Sequence, residues 1–211
     1  LNPTGGLLAL PSFRWRAIYS TNFDLLVEGA YARAEIPLRV VRSNYDLSRG
    51  AVRAPVLYKI HGCVQQDVAD GHNSRMVLTE ADYDDVQSFR QVLLNSLAQA
   101  MATADTVVVG QSLSDRHLRD LAKEVARLRT EGAPGRVFML LFDYNEDQAN
   151  LLSRHGIECH GGSLEEFTHA LGAVSPRKAS SALAHSSSSP RELPTALLSS
   201  TIDVGHVWVA V

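Results

Sequence analysis

Trp15 to Glu28 reads WRAIYSTNFDLLVE: an apolar run (Ala17-Ile18-Tyr19), a polar cluster (Ser20-Thr21-Asn22-Phe23-Asp24), then an apolar restart at Leu25-Leu26-Val27. An apolar run of this length followed by short polar residues is the pattern of a buried strand breaking into a turn. Asp24 is placed to cap the helix that follows. Open α/β sheets bind their ligands just past the carboxyl ends of their strands, so the polar cluster falls where a site belongs.

Working outward, two more apolar runs end the same way. Val56-Leu57-Tyr58-Lys59-Ile60 passes into His61-Gly62, and Thr106-Val107-Val108-Val109 passes into Gly110-Gln111-Ser112. Further strands are expected at Pro37–Val41 (near a sheet edge), Val137–Phe142 and Ile157–Cys159, with Thr106–Val109 the most central because it is the most apolar. Helices are expected over Asp24–Ala34, from the Thr79 cap through Met101 with one break at most, from Ser114-Asp115 to Arg129, over Asp147–His155 ending at Gly156, and over Leu164–Leu171. Gln65 to Asn73 reads as a polar loop. Strand and helix alternate, which predicts crossovers and a parallel sheet covered on both faces: a three-layer, Rossmann-like α/β fold.

Residues 1–14 read as a loop or the remnant of a larger module, 15–172 as the α/β domain, and 173–201 as a disordered linker rich in Ser, Ala and Pro. Residues 202–211 stay unassigned; Ile202–Val211 has strand-forming residues and could add a strand. The chain opens on Leu1 rather than Met, so a fragment or processed chain is expected.

Composition narrows the function. A formal net charge of −3, with arginines scattered, gives no reason to expect a nucleic-acid or anionic-membrane partner. No apolar run approaches the roughly 20 residues that span a bilayer, and no secretory signal opens the chain, so a cytoplasmic location is expected. The two cysteines, Cys63 and Cys159, can build neither a disulfide framework nor a four-cysteine zinc site. His117, His155, His160 and His169 share no ligand spacing, so no metal is expected.

Each candidate residue also has a plain structural reading. Asn22 and Asp24 suit any turn or cap, a histidine before glycine is often structural, and Gly110 with Ser112 can be turn chemistry alone. Cys63 beside His61-Gly62 suggests a thiol nucleophile. Neighbouring side chains at a strand end point apart, so core packing is the better reading.

With these residues in hand the chain resembles the sirtuin-like (SIR2-like) superfamily over residues 15 to 171, and within it the bacterial defence-type domains that cleave NAD. Ser20-Thr21-Asn22-Phe23-Asp24 resembles the family's T-x-N-x-D turn, Lys59-Ile60-His61-Gly62 its H-G turn, and Gly110-Gln111-Ser112-Leu113 its G-x-S turn. Val137–Asp143 with Gly156–Cys159 resembles the closing part of its nucleotide-binding sheet. The family's first strand carries a Gly-Ala-Gly-x-Ser phosphate turn that nothing here matches, so the first glycine-rich βα unit is expected to be missing and the fragment alone to be weakly active at best. The paired zinc cysteines of the protein-deacylating sirtuins are also absent, which argues against an acyl-lysine substrate.

The resemblance implies NAD as substrate and partner, with no metal, cleaved at the nicotinamide–ribose bond by an effector domain of an anti-phage defence protein. A non-catalytic NAD- or ADP-ribose-binding sensor is the alternative. It further implies Asn22 for the nicotinamide-ribose region and a water, Asp24 for orienting the neighbours or meeting the carboxamide, and His61 as general base toward a ribose hydroxyl or water. For binding it implies Thr21 and Gly62 at the same two turns, Gly110 and Ser112 toward ribose or phosphate, and Asp143 toward the adenosine ribose. Assembly into a homo-oligomer through the remaining regions is a further expectation.

Overall fold

The computed structural model describes residues 1–44, 46, 54–70, 76–110, 120, 123–128, 131–174 and 206–209, the side chains of 86–88 and 206–209 excepted. The strands are β1 (Ala17–Ser20), β2 (Arg39–Val41), β3 (Val56–Lys59), β4 (Thr106–Val109), β5 (Val137–Leu141), β6 (Ile157–Gly161) and β7 (His206–Val209). They form one seven-stranded sheet in the order β2-β3-β1-β7-β4-β5-β6, with every pairing parallel. The expected α/β, Rossmann-like architecture is therefore present.

The helices are α1 (Gly6–Ala9), α2 (Leu26–Arg33), α3 (Val64–Ala69), α4 (Glu80–Thr103), α5 (residues 123–128), α6 (Glu146–Ser153) and α7 (Leu164–Val174). Side chains alternate across a strand, and the two cores divide accordingly. Ala17, Tyr19, Val108, Val137, Met139 and Leu141 pack on one face with Leu93, Leu97, Val125 and Leu152 of α4, α5 and α6. Ile18, Val107, Val109, Phe138 and Leu140 pack on the other with Leu7, Val27, Tyr31, Phe167 and Leu171 of α1, α2 and α7. Three layers result.

Local chemistry fixes where the elements start. Thr79 Oγ1 accepts the Asp82 N–H at 3.2 Å while Asp82 Oδ2 accepts the Thr79 N–H at 2.8 Å, a reciprocal cap that opens α4. Ser163 and Glu166 repeat that arrangement before α7, and Asn145 caps α6 through Gln148. At the amino edge of the sheet, Arg136 forks onto the Asp105 carboxylate and the Thr106 N–H reaches the Arg136 carbonyl at 2.8 Å, aligning β4 with β5.

Several expectations need correction. Residues 1–12 are not loop throughout: Gly6–Ala9 is a helical turn and Leu10–Ser12 a 3-10 turn, with Leu7 and Leu10 buried. A Cβ on Gly6 would lie 2.5 Å from the Glu165 nitrogen, so the segment sits flush on the start of α7. Gln65–Asn73 is not loop throughout, because Val64–Ala69 is helical. Phe142 does not belong to the buried strand; β5 stops at Leu141 and Phe142 is 84% exposed. Helix α4 runs unbroken over 24 residues.

The tail does add a strand, and in the centre of the sheet. β7 pairs with β1 on one side (Tyr19↔Trp208) and with β4 on the other (Val108↔Trp208). Strands from the first half of the chain lie on one side of β7 and those from the second half on the other. The topological switch point is therefore at β1, β7 and β4. The linker expected over 173–201 lies outside the described residues apart from its first two, which continue α7.

Candidate functional site

Because all strands are parallel, their carboxyl ends share one edge, and the candidate residues follow β1, β3, β4 and β5 along it. The turns after β1 and β3 are fastened together. The Ile60 N–H donates to the Ser20 carbonyl at 2.8 Å, and the Val64 N–H to the Phe23 carbonyl at 3.0 Å. The Lys59 ammonium donates to the Asp24 carbonyl at 2.5 Å. Thr21-Asn22-Asp24 and His61-Gly62 thus form one structural unit.

Within it Thr21 is buried, and Asn22 and Asp24 are half-buried. The Asn22 N–H donates to Ser20 Oγ at 3.2 Å, which folds the turn back on its strand. Asp24 is not the cap residue of α2, a position held by Leu25 without a side-chain cap; its Oδ1 accepts the Leu26 N–H at 2.9 Å and closes the turn just before the helix. His61 is only 6% exposed. Its ring neighbours Phe23, tilted at 6.4 Å, and Tyr83 of α4, edge-on at 5.4 Å, and the His61 carbonyl accepts the Val77 N–H at 2.9 Å. Gly62 has φ 106°, and a Cβ there would lie 3.0 Å from both the Arg90 guanidinium and Met76 Cγ. Only glycine satisfies both constraints.

Arg90, 1% exposed, braces this end of the sheet from below. Its Nη1 donates to the carbonyls of Arg42 at 2.5 Å and Lys59 at 3.2 Å, joining the ends of β2 and β3. Burial pushes the Arg90 guanidinium down to about 10, still protonated at neutral pH. Lys59 is wholly buried, and its loss of hydration lowers the ammonium from its usual value, opposed by the nearby Glu28 carboxylate.

The other candidates stand farther along the edge. Gly110 ends β4 with φ 73°, exposed, and β7 separates β4 from β1. Two strand spacings put it about 10 Å from the Asn22 turn. Asp143, exposed beyond β5, is one strand farther. Ser112 lies outside the described residues. An extended ligand crossing the switch point would meet the joined Asn22–His61 unit at one end and Gly110 and Asp143 toward the other. The residues present fit a dinucleotide in that respect.

Sequence reading missed Tyr83, Arg90 and the role of Lys59. Arg90 left a trace, since it falls on the same helical stripe as Leu93, Leu97 and Met101. Tyr83 left none; one turn into a capped helix, its position against His61 depends on how α4 packs. Cys63 is buried, as core packing required. Among the described residues no cluster of His, Cys, Asp and Glu could hold a metal ion, and no helix is long and apolar enough to cross a membrane.

No curated protein matches the chain significantly. Residues 16–160, well over half its length, match the model of the SIR2-like domain. That span contains the Asn22 and His61 turns together with Gly110 and Asp143. The fold is consistent with this match, and the chain belongs to the SIR2-like domain family, whose members bind NAD.

Proposed function

We propose that this domain hydrolyses NAD to nicotinamide and ADP-ribose, as the effector part of a bacterial anti-phage defence protein. What supports the chemistry is the joining of the Asn22-Asp24 turn to the His61 turn by three hydrogen bonds at the carboxyl edge of a parallel sheet. The defence setting is supported by the likeness of the three turns to that branch of the family.

Cleavage of the C1′–nitrogen bond builds positive charge on the ribose, and a site gains rate by favouring that charged state over bound NAD. Water adds to C1′ as the bond breaks, and nicotinamide leaves neutral with the bonding electron pair. The proton of the added water passes to His61 and then to solvent, a role suited to a group whose ordinary pKa is near neutral. The Asn22 amide holds the nicotinamide-ribose region and the water. Asp24, already engaged at the start of α2, keeps the turn in shape. Gly110, whose backbone a ligand can approach closely, Ser112 and Asp143 serve the phosphate and adenosine portions. Release of nicotinamide by the protein, lost in His61→Ala, is the test.

One observation favours a second reading, a binding module without turnover. No stretch of the sequence matches the Gly-Ala-Gly-x-Ser turn that takes the pyrophosphate in the family. NAD or ADP-ribose binding by calorimetry without nicotinamide release would mark that module.

A further inference from the structure

Lys59 is an unusual residue to bury. Its side chain is fully enclosed near the end of β3, and it carries a charge that water would otherwise solvate. The enclosed ammonium meets two oxygens. It donates to the Asp24 main-chain carbonyl at 2.5 Å and lies 3.9 Å from Glu28 Oε2 on α2. Both Glu28 carboxylate oxygens are buried and accept no hydrogen bond, so the facing ammonium is what compensates that charge. An apolar side chain would fill the same space without these demands, and the cation therefore needs a use.

Its position supplies one. Lys59 lies two residues before His61 in the chain, and its Nζ grips the carbonyl of Asp24, two residues after Asn22. Its own carbonyl is held by the Gly62 N–H at 3.3 Å and by Arg90 at 3.2 Å, so the main chain on either side cannot shift to follow the side chain. We propose that Lys59 is a positioning residue: its ammonium, balanced by Glu28, sets the distance between the Asn22 turn and the His61 turn from beneath. This rests on the reading of those two turns as the NAD-cleaving site, but the mechanical part can be read without NAD.

Lys59→Met keeps the length of the stem and removes the charge. The readout is amide hydrogen exchange, with nicotinamide release measured alongside. In the folded variant the Val64 and Leu26 amides, bonded to Phe23 and to Asp24, exchange at least tenfold faster, while the β5 and β6 amides keep their rates. NAD cleavage then falls mainly in kcat, with KM changing less, because the approach of the two turns is at fault and not the binding of the nucleotide. Lys59→Arg, which keeps a donor and a charge, recovers part of both. If Lys59→Met does not fold, Lys59→Met combined with Glu28→Gln, which removes both buried charges together, carries the same test. Unchanged exchange at Val64 and Leu26 in the folded variant overturns the proposal, whatever the activity. Faster exchange in a protein whose wild type releases no nicotinamide keeps the anchor and removes the hydrolase reading.

Discussion

The ring of Tyr83 meets the ring of His61 edge-on, their centroids 5.4 Å apart, and so ties the first turn of α4 to the turn after β3. Such a contact contributes roughly 0.5–1.5 kcal/mol beyond the area it buries. The two rings lie 78° apart, so Tyr83 packs its edge or face against the imidazole. Tyr83→Ala should therefore lower the rate of NAD cleavage by about tenfold, the equivalent of ~1.4 kcal/mol in the barrier. Tyr83→Phe, which keeps the ring, should stay within about threefold of the parent, less than ~0.7 kcal/mol. Steady-state kinetics of the two variants decide it, and equal losses in both would show that the ring contact is not what matters.

Two glycines separate close packing from mere helix propensity. A Cβ at Gly6 would collide with the backbone of Glu165, whereas one at Gly172 would meet nothing within 4 Å. Gly6→Ala should destabilise by about 2–3 kcal/mol, because backbone cannot yield as a flexible side chain does. Gly172→Ala, inside α7, should stabilise by roughly 0.5–1 kcal/mol. Chemical denaturation measures both, and a neutral Gly6→Ala would mean that residues 1–12 do not dock on α7.

The Asp105–Arg136 pair should matter more than the Asp120–Lys123 pair. Arg136 forks onto a carboxylate whose side chain is 20% exposed, while Asp120 and Lys123 are 59% and 60% exposed. The Asp105 carboxylate holds the Arg136 guanidinium above its usual value. Asp105→Ala is expected to cost about 1–2 kcal/mol, and Asp120→Ala next to nothing. Paired denaturation curves provide the comparison.

Stability should fall on the alkaline side. Burial pushes the Cys159 thiol up to about 11 from 9.0 and the Tyr19 phenol up to about 12 from 10.0, the latter partly offset by its hydrogen bond with Ser96. Both groups therefore keep their protons longer in the folded state than in the unfolded one. The stability this represents is complete below pH 9 and is lost as pH rises through 9–11 for Cys159 and 10–12 for Tyr19. Denaturation midpoints between pH 8 and 11 should decline, less steeply in Cys159→Ala. At pH 8 the folded protein should alkylate at Cys159 far more slowly than the unfolded chain.

Much of the fold was legible because its signals are local. The Thr79 cap, the turn glycine at Gly156 and the Val-rich run at Thr106–Val109 each act within a few residues. What stayed hidden depends on distant partners. Gly6 looks like loop chemistry until Glu165 stands against it, and Val64–Ala69 looks like a polar loop because its short apolar content, Val64 and Val68, faces outward. The strand order is the largest such case. His206-Val207-Trp208-Val209 reads as a strand, but nothing in its four residues tells that it sits between β1 and β4. In the site, the strand-end turns could be read directly, whereas Lys59, Tyr83 and Arg90 act through side chains arriving from other elements.

The central claim is that the Asn22 turn and the His61 turn together break the nicotinamide–ribose bond. The most direct measurement is nicotinamide release from NAD by the protein, beside folded Asn22→Ala and His61→Ala variants with matched melting curves. The account predicts steady release by the parent and a loss of about 10²–10⁴-fold in His61→Ala, the range a positioned acid–base group supplies, with a comparable loss in Asn22→Ala. Release that survives unchanged in both variants would contradict it.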